Sequence, residues 1–206
     1  MFRAEDIREF YALLDEEIAD FDCGAQCGGR NRRKLPYCCD ISKTIPLMYH
    51  EEYDYVRRHS RMWRPYTPKG LKEKLDELEY HLHVECPGPA RCERPWRSIV
   101  CRIFPTYPYV DEQDRAIGLF FNTCLRDKCY LVGRPELVRP AFVRSHVRFW
   151  NLLFDRHEGE RAFHADLCRR TEARQRRLRK PFIVMMPDGT LTKRFDNGGG
   201  EDWTPR

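Results

Sequence analysis

Residues 21–40, FDCGAQCGGRNRRKLPYCCD, hold four of the chain's ten cysteines in one short polar stretch. Three residues separate Cys23 from Cys27, and Cys38 adjoins Cys39, with a glycine- and arginine-rich insert between the pairs. Adjacent cysteines do not readily bond each other, and a loop this polar offers no core in which to bury thiols. Four thiolates on such a loop point to a soft metal ion or an iron–sulfur cluster. The rest of the chain then reads as a scaffold that carries further cysteines up to this loop.

At 206 residues, with 33% charged and 41% hydrophobic residues, the chain has room for one domain with a modest core, or for a domain with a helical extension. A formal charge of +5 permits an acidic partner without demanding one. The opening MFRAEDIREF carries acids early and no apolar run, so no secretory leader is expected, and no stretch approaches the length of a membrane span. The expected compartment is the cytoplasm. Clustered cysteines in reducing conditions bind metal or react more often than they form disulfides.

In chain order, Ile7, Phe10, Leu14, Ile18 and Phe21 recur at helical spacing, which predicts an amphipathic helix over residues 2–21. Gly24, Gly28 and Gly29 are expected to keep the following loop flexible. A helix is predicted from Pro46 through PLMYHEEYDYVRRHS, and another from Thr67 and Pro68 to Val84, with Leu71, Leu75, Leu78 and Leu82 on one stripe. Residues 85–108 are irregular. Tyr107–Asp111 with Ala116–Asn122, and FIVMM-PDG-TLTKRF near the end, read as β-hairpins. Between them a helical region opens at Pro135, breaks near Pro140, and continues through a second helix, Glu158 to Lys180, as a helical hairpin. The fold class is α+β: mainly helical, with a cysteine-ligated irregular region and short β-hairpins. Three parts are expected: a metal-binding domain over 1–133, an extension packed on it over 134–196, and a disordered tail over 197–206.

Nine cysteines lie in or beside loops: Cys23, Cys27, Cys38 and Cys39; Cys86, Cys92 and Cys101; Cys124 and Cys129. Cys168 stands on a helix and reads as an ordinary buried thiol. Cys101-Arg102-Ile103-Phe104-Pro105 resembles the C-R-x-[FY]-P signature of the cysteine-cluster zinc- or iron-chelating family (CxxCxxCC, YkgJ-like). In that resemblance the CC pair is Cys38–Cys39 and the acidic helix that follows is MYHEEYDYV. The two spaced cysteines are Cys86 and Cys92, and the R-P is Arg94–Pro95. It spans roughly residues 21–130 and implies a metal site, without implying a reaction. Flagellin lysine N-methylases look similar in the same cysteine region.

An all-thiolate donor set suits zinc in a tetrahedral site and iron–sulfur clusters equally, and eight of the nine cysteines would serve two clusters. The metal then either staples a loop-rich domain or supports a modification or redox reaction. Arg94 and Arg102, next to ligands, would offset thiolate charge. His81 and His83 read as polar residues at a helix end, and Glu51, Glu52 and Asp54 as helix surface. The basic run Arg169–Lys180 carries seven cations. It is the candidate contact for nucleic acid or another polyanionic or protein partner, set against the plainer reading of a solvated face. No phosphate-binding glycine loop or nucleophile elbow is present.

Overall fold

A computed structural model describes residues 2–69, 80–194 and 200–202. The described chain is α+β, with helices and two small antiparallel sheets. It divides into two compact units, Met1–Ala12 with Gly24–Phe104, and Leu13–Cys23 with Pro105–Arg206. The seam after Phe104 replaces the expected boundary at residue 133. Strand β4 (Thr106–Val110) is bound by its ladder to the later strands, so Cys124 and Cys129 fall with the C-terminal helices.

The first unit opens on helix α1 (Ala4–Leu13), which buries Ile7, Phe10 and Tyr11. Asp6 Oδ2 accepts a hydrogen bond from the Arg3 amide at 2.8 Å, closing the helix start as one half of a capping box. The helix stops at Leu13, not at residue 21. Asp15, Glu16 and Glu17 would crowd negative charge onto a C-terminus already negative, and the Leu13 carbonyl is taken by the Ser145 hydroxyl.

Two further helix predictions fail here. Leu47–Tyr49 is strand β1 and His81–Glu85 is strand β3; they pair antiparallel, with β2 (Arg64–Pro65) on the other side of β3. Of the helix expected from Pro46, only α3 (His50–Val56) forms. Residues 70–79 of the leucine-striped helix lie outside the described residues, and its last four residues belong to β3. The leucine period runs on into HLHVE and hides an alternation that buries His81 and His83.

In the second unit both predicted hairpins form, because their turns are local chemistry. Asp111 Oδ1 accepts from the Gln113 and Arg115 amides at 3.0 and 2.8 Å, and joins β4 to β5 (Ala116–Phe121). Asp188 Oδ1 accepts from Thr190 at 2.8 Å, and Gly189 takes φ +95° between β6 (Phe182–Met185) and β7 (Leu191–Arg194). The hairpins merge into one antiparallel sheet, β4-β5-β6-β7-β8, whose last strand is Gly200–Asp202. That strand lies within the segment expected to be a disordered tail. Residues 195–199 and 203–206 are outside the described ones.

Helices α5 (Pro140–Arg156) and α6 (Glu158–Arg177) form the expected hairpin, packed on β5 and β4 respectively. His157 turns the chain, and its Nδ1 accepts from the Glu160 amide at 3.1 Å. Phe142, Phe149, Trp150, Leu153 and Phe154 are all buried on α5, and Cys168 is buried on α6.

Candidate metal centre

Three separated stretches of the first unit deliver cysteines to one place. Strand β3 ends at Glu85 and hands the chain to Cys86. Gly88, at φ +90°, turns it into a 3-10 turn (Pro89–Arg91) that closes on Cys92. A second 3-10 turn (Arg94–Trp96) leads to Ser98, which caps the short helix α4 (Ile99–Ile103) by accepting from the Cys101 amide at 3.2 Å. Cys39 ends a third such turn (Tyr37–Cys39), followed by buried Asp40. The Asp40 carboxylate accepts from Ser42 Oγ and the Ser42 amide (2.7 and 3.1 Å), Asn31 Nδ2 (3.2 Å) and Arg33 (3.3 Å). The Ser42 hydroxyl leads in holding its carboxyl below the ordinary range.

The Arg97 side chain is the hub of this group: its Nε donates to Cys92 Sγ at 3.3 Å. Cys86 lies within electrostatic reach of Cys39 and Cys92, Cys101 within reach of Cys86 and Cys39, and Arg97 within reach of Cys92, Cys39 and Cys101. Burial pushes the Cys101 thiol up to about 12; the Ser98 hydrogen bond opposes this, and Cys86 and Cys39 add to it. Burial also raises Cys86. For Arg97, burial works against the charge, but the Cys92 hydrogen bond and the nearby cysteines outweigh it and hold the guanidinium above its ordinary value. Thiolates gathered this way repel one another and are poorly solvated, so their ionised forms call for a soft cation.

Cys38 Sγ lies 3.9 Å from Cys39 Sγ, and all ten cysteines carry thiols. Among the described residues, no group of three or more His, Cys, Asp or Glu side chains stands at the separations of a formed metal site. The donor chemistry fits zinc or iron in kind, being thiol throughout with a cation alongside.

Glu52 and Arg102 hold the arms of this group, and neither role is written in the local sequence. Glu52, expected on a helix surface, is fully buried on α3, and its Oε1 accepts from the Ile99 amide at 2.7 Å and the Tyr11 hydroxyl at 2.9 Å. It thereby fixes the start of the helix that carries Cys101. Burial lifts the Glu52 carboxyl to about 7 against these hydrogen bonds, and burial first, then Glu52, raises Tyr11. Arg102 donates to three carbonyls of the Cys92 arm, Arg97 (3.0 Å), Pro95 (2.8 Å) and Arg94 (3.3 Å), and lies over the Tyr11 ring at 4.6 Å. Trp63 Nε1 donates to the Trp96 carbonyl at 2.7 Å, tying β2 to the same arm.

The remaining predicted ligands lie elsewhere on the chain. Cys23 and Cys27 sit on a short helix, α2 (Cys23–Gly28), in place of the expected flexible loop; their spacing puts both on one helix face. Gly28 lets the chain pass close, since a Cβ there would lie 3.1 Å from the Lys34 carbonyl oxygen. Cys27, Cys38, Cys39, Cys86, Cys92 and Cys101 belong to the first unit, and Cys23, Cys124 and Cys129 to the second. Cys124 is exposed, 3.9 Å from Arg174, and Cys129 is buried. His81 and His83 are buried on β3, not polar residues at a helix end. In the basic run, Arg169 pairs with Asp114 at 2.8 Å, while Arg174 and the cations from Arg176 to Lys180 are exposed.

An α+β fold with thiols of three stretches gathered around an arginine defines a polythiol protein. No family model, curated protein or solved structure matches the chain.

Proposed function

We propose that this chain is a metal-binding protein whose centre is formed by Cys39, Cys86, Cys92 and Cys101, holding zinc or iron, the latter as an iron–sulfur cluster. One observation carries the reading: Cys39, Cys86, Cys92 and Cys101 of one compact unit lie within electrostatic reach of Arg97, which donates to Cys92 Sγ. Four thiolates around a divalent ion leave a net negative charge, and Arg97 is placed to offset it. The resemblance to the cysteine-cluster family supports these four positions among its larger set, which also takes in Cys23, Cys27 and Cys38. Cys38, next to Cys39, is a reserve donor. Thiolate chemistry of this kind fits the reducing cytoplasm, and a cluster would supply electron transfer to a redox or modification reaction.

Protein purified without oxygen, from cells supplied with iron and zinc, tests this. Metal analysis should find bound metal, with broad visible absorption for a cluster and none for zinc. Cys86→Ser and Cys101→Ser should each lose most of it and melt lower, because ligand binding to the native state stabilises it. Metal retained in full by both variants, or absent from the parent protein, would refute the assignment.

A further inference from the structure

We propose that the first unit also carries a surface for single-stranded nucleic acid, built on His59 and Trp96 and on the exposed Arg58, Arg61, Arg64 and Arg91 of the same two segments. It is independent of the metal reading and of the basic run on α6.

Two arginine-rich segments, RRHSRMWR (57–64) and RCERPWR (91–97), are distant in sequence and meet only in the fold. Trp63 Nε1 bonds the Trp96 carbonyl at 2.7 Å, and the Glu93 amide contacts Met62 Sδ at 3.2 Å. Strand β2 also sets Arg64 beside the end of β3, from which the second segment departs. On this seam the His59 imidazole lies flat on the Trp96 indole, with centroids 4.7 Å apart and planes 3° from parallel, and the Tyr55 ring centroid is 5.0 Å from that of His59. His59 is exposed and Trp96 half-buried, so the stacked pair reaches the surface.

Arg58 and Arg61 flank His59 along the chain, Arg64 lies on β2 and Arg91 on the segment that carries Trp96, and all four are exposed. The nearby acids are few: Asp54 pairs with Arg57 at 3.1 Å, Glu85 lies opposite Arg64 in register, and Glu93 is the single acid of its segment. An exposed aromatic ring on two segments that also carry exposed arginines matches one ligand chemistry, a base that stacks while its neighbouring phosphates are neutralised. A duplex hides its base faces, so a single strand is the fitting partner.

The test is fluorescence anisotropy with labelled oligo(dT) of about a dozen nucleotides, using the full chain as purified, between about 50 and about 200 mM salt. Binding should weaken with salt and exceed that to a duplex of equal length. His59→Ala, a surface change that spares the Trp96 carbonyl bond, should weaken it roughly tenfold. The double variant Arg58→Gln, Arg61→Gln should flatten the salt slope by about 1.4, ~0.7 per lost phosphate contact. Arg176→Glu with Arg177→Glu should leave binding unchanged. Undetectable binding at low salt, duplex bound as tightly as single strand, or His59→Ala binding like the parent while heparin competes would each overturn the proposal. Unchanged melting of the variants guards against misfolding as the cause.

Discussion

Replacing Glu52 by glutamine should change the pH dependence of stability more than stability itself. The Ile99 amide and the Tyr11 hydroxyl both donate to Oε1, the Tyr49 backbone also favours the ionised carboxyl, and Oε2 is buried. A glutamine carbonyl can accept both, leaving its amide where Oε2 stood. The native carboxyl titrates near 7 against an ordinary 4.5, because burial disfavours the charge. Between those values the folded protein holds a proton that the unfolded chain has released, so stability must fall as pH rises. The contribution is complete below 4.5 and lost through about 7. At about 1.4 kcal/mol per unit, the interval amounts to roughly 3 kcal/mol.

The glutamine side chain cannot titrate. An unpaired buried amide costs about 1–3 kcal/mol at every pH, so the variant should start level with or below the parent at pH 5. It should then gain roughly 3 kcal/mol on the parent by pH 8. Urea unfolding in chelator across this range measures the difference, the chelator removing any pH dependence of metal binding. A difference between the two proteins that stays constant within about 1 kcal/mol would show that Glu52 is not a buried, desolvated carboxylate.

Arg102→Ala removes three bonds to the Cys92 arm and the cover of Tyr11; it should cost roughly 1–3 kcal/mol and speed metal loss to a chelator, and metal release at the parent rate would remove Arg102 from that role. Trp150→Ala empties a site that is 1% exposed and should destabilise by about 3–5 kcal/mol in thermal or urea unfolding. Arg176→Glu with Arg177→Glu, both exposed, should leave the melting temperature within about 2 °C of the parent. Gly118→Ala would place a Cβ 2.7 Å from Val184 Cγ1 and 2.9 Å from the Met185 carbonyl oxygen. That clash should cost about 1–3 kcal/mol and raise amide exchange on β5 and β6.

What the sequence determined by itself is what short-range chemistry controls. The PDG turn and the Asp111 turn make hairpins whatever surrounds them. The apolar face of Phe142 to Phe154 with the break at His157 makes a helical hairpin. Cys86, Cys92 and Cys101 were legible as members of one set from their loop setting and from the C-R-I-F-P stretch.

Only the tertiary structure decided the rest. Leu47–Tyr49 and His81–Glu85 look helical alone and become strands because each supplies the other's hydrogen bonds. Glu52 has the same residue type and spacing as the solvent-facing acids beside it, and only burial against Ile99 and Tyr11 sets it apart. Arg97 carries no mark in the sequence that would choose it over the other arginines of its loop; its role comes from the place where Cys39, Cys86, Cys92 and Cys101 meet. Turns and helix faces are fixed by residues a few positions apart. A burial site or a gathering of thiols depends on pairings between stretches tens of residues apart, which the chain's local preferences do not encode.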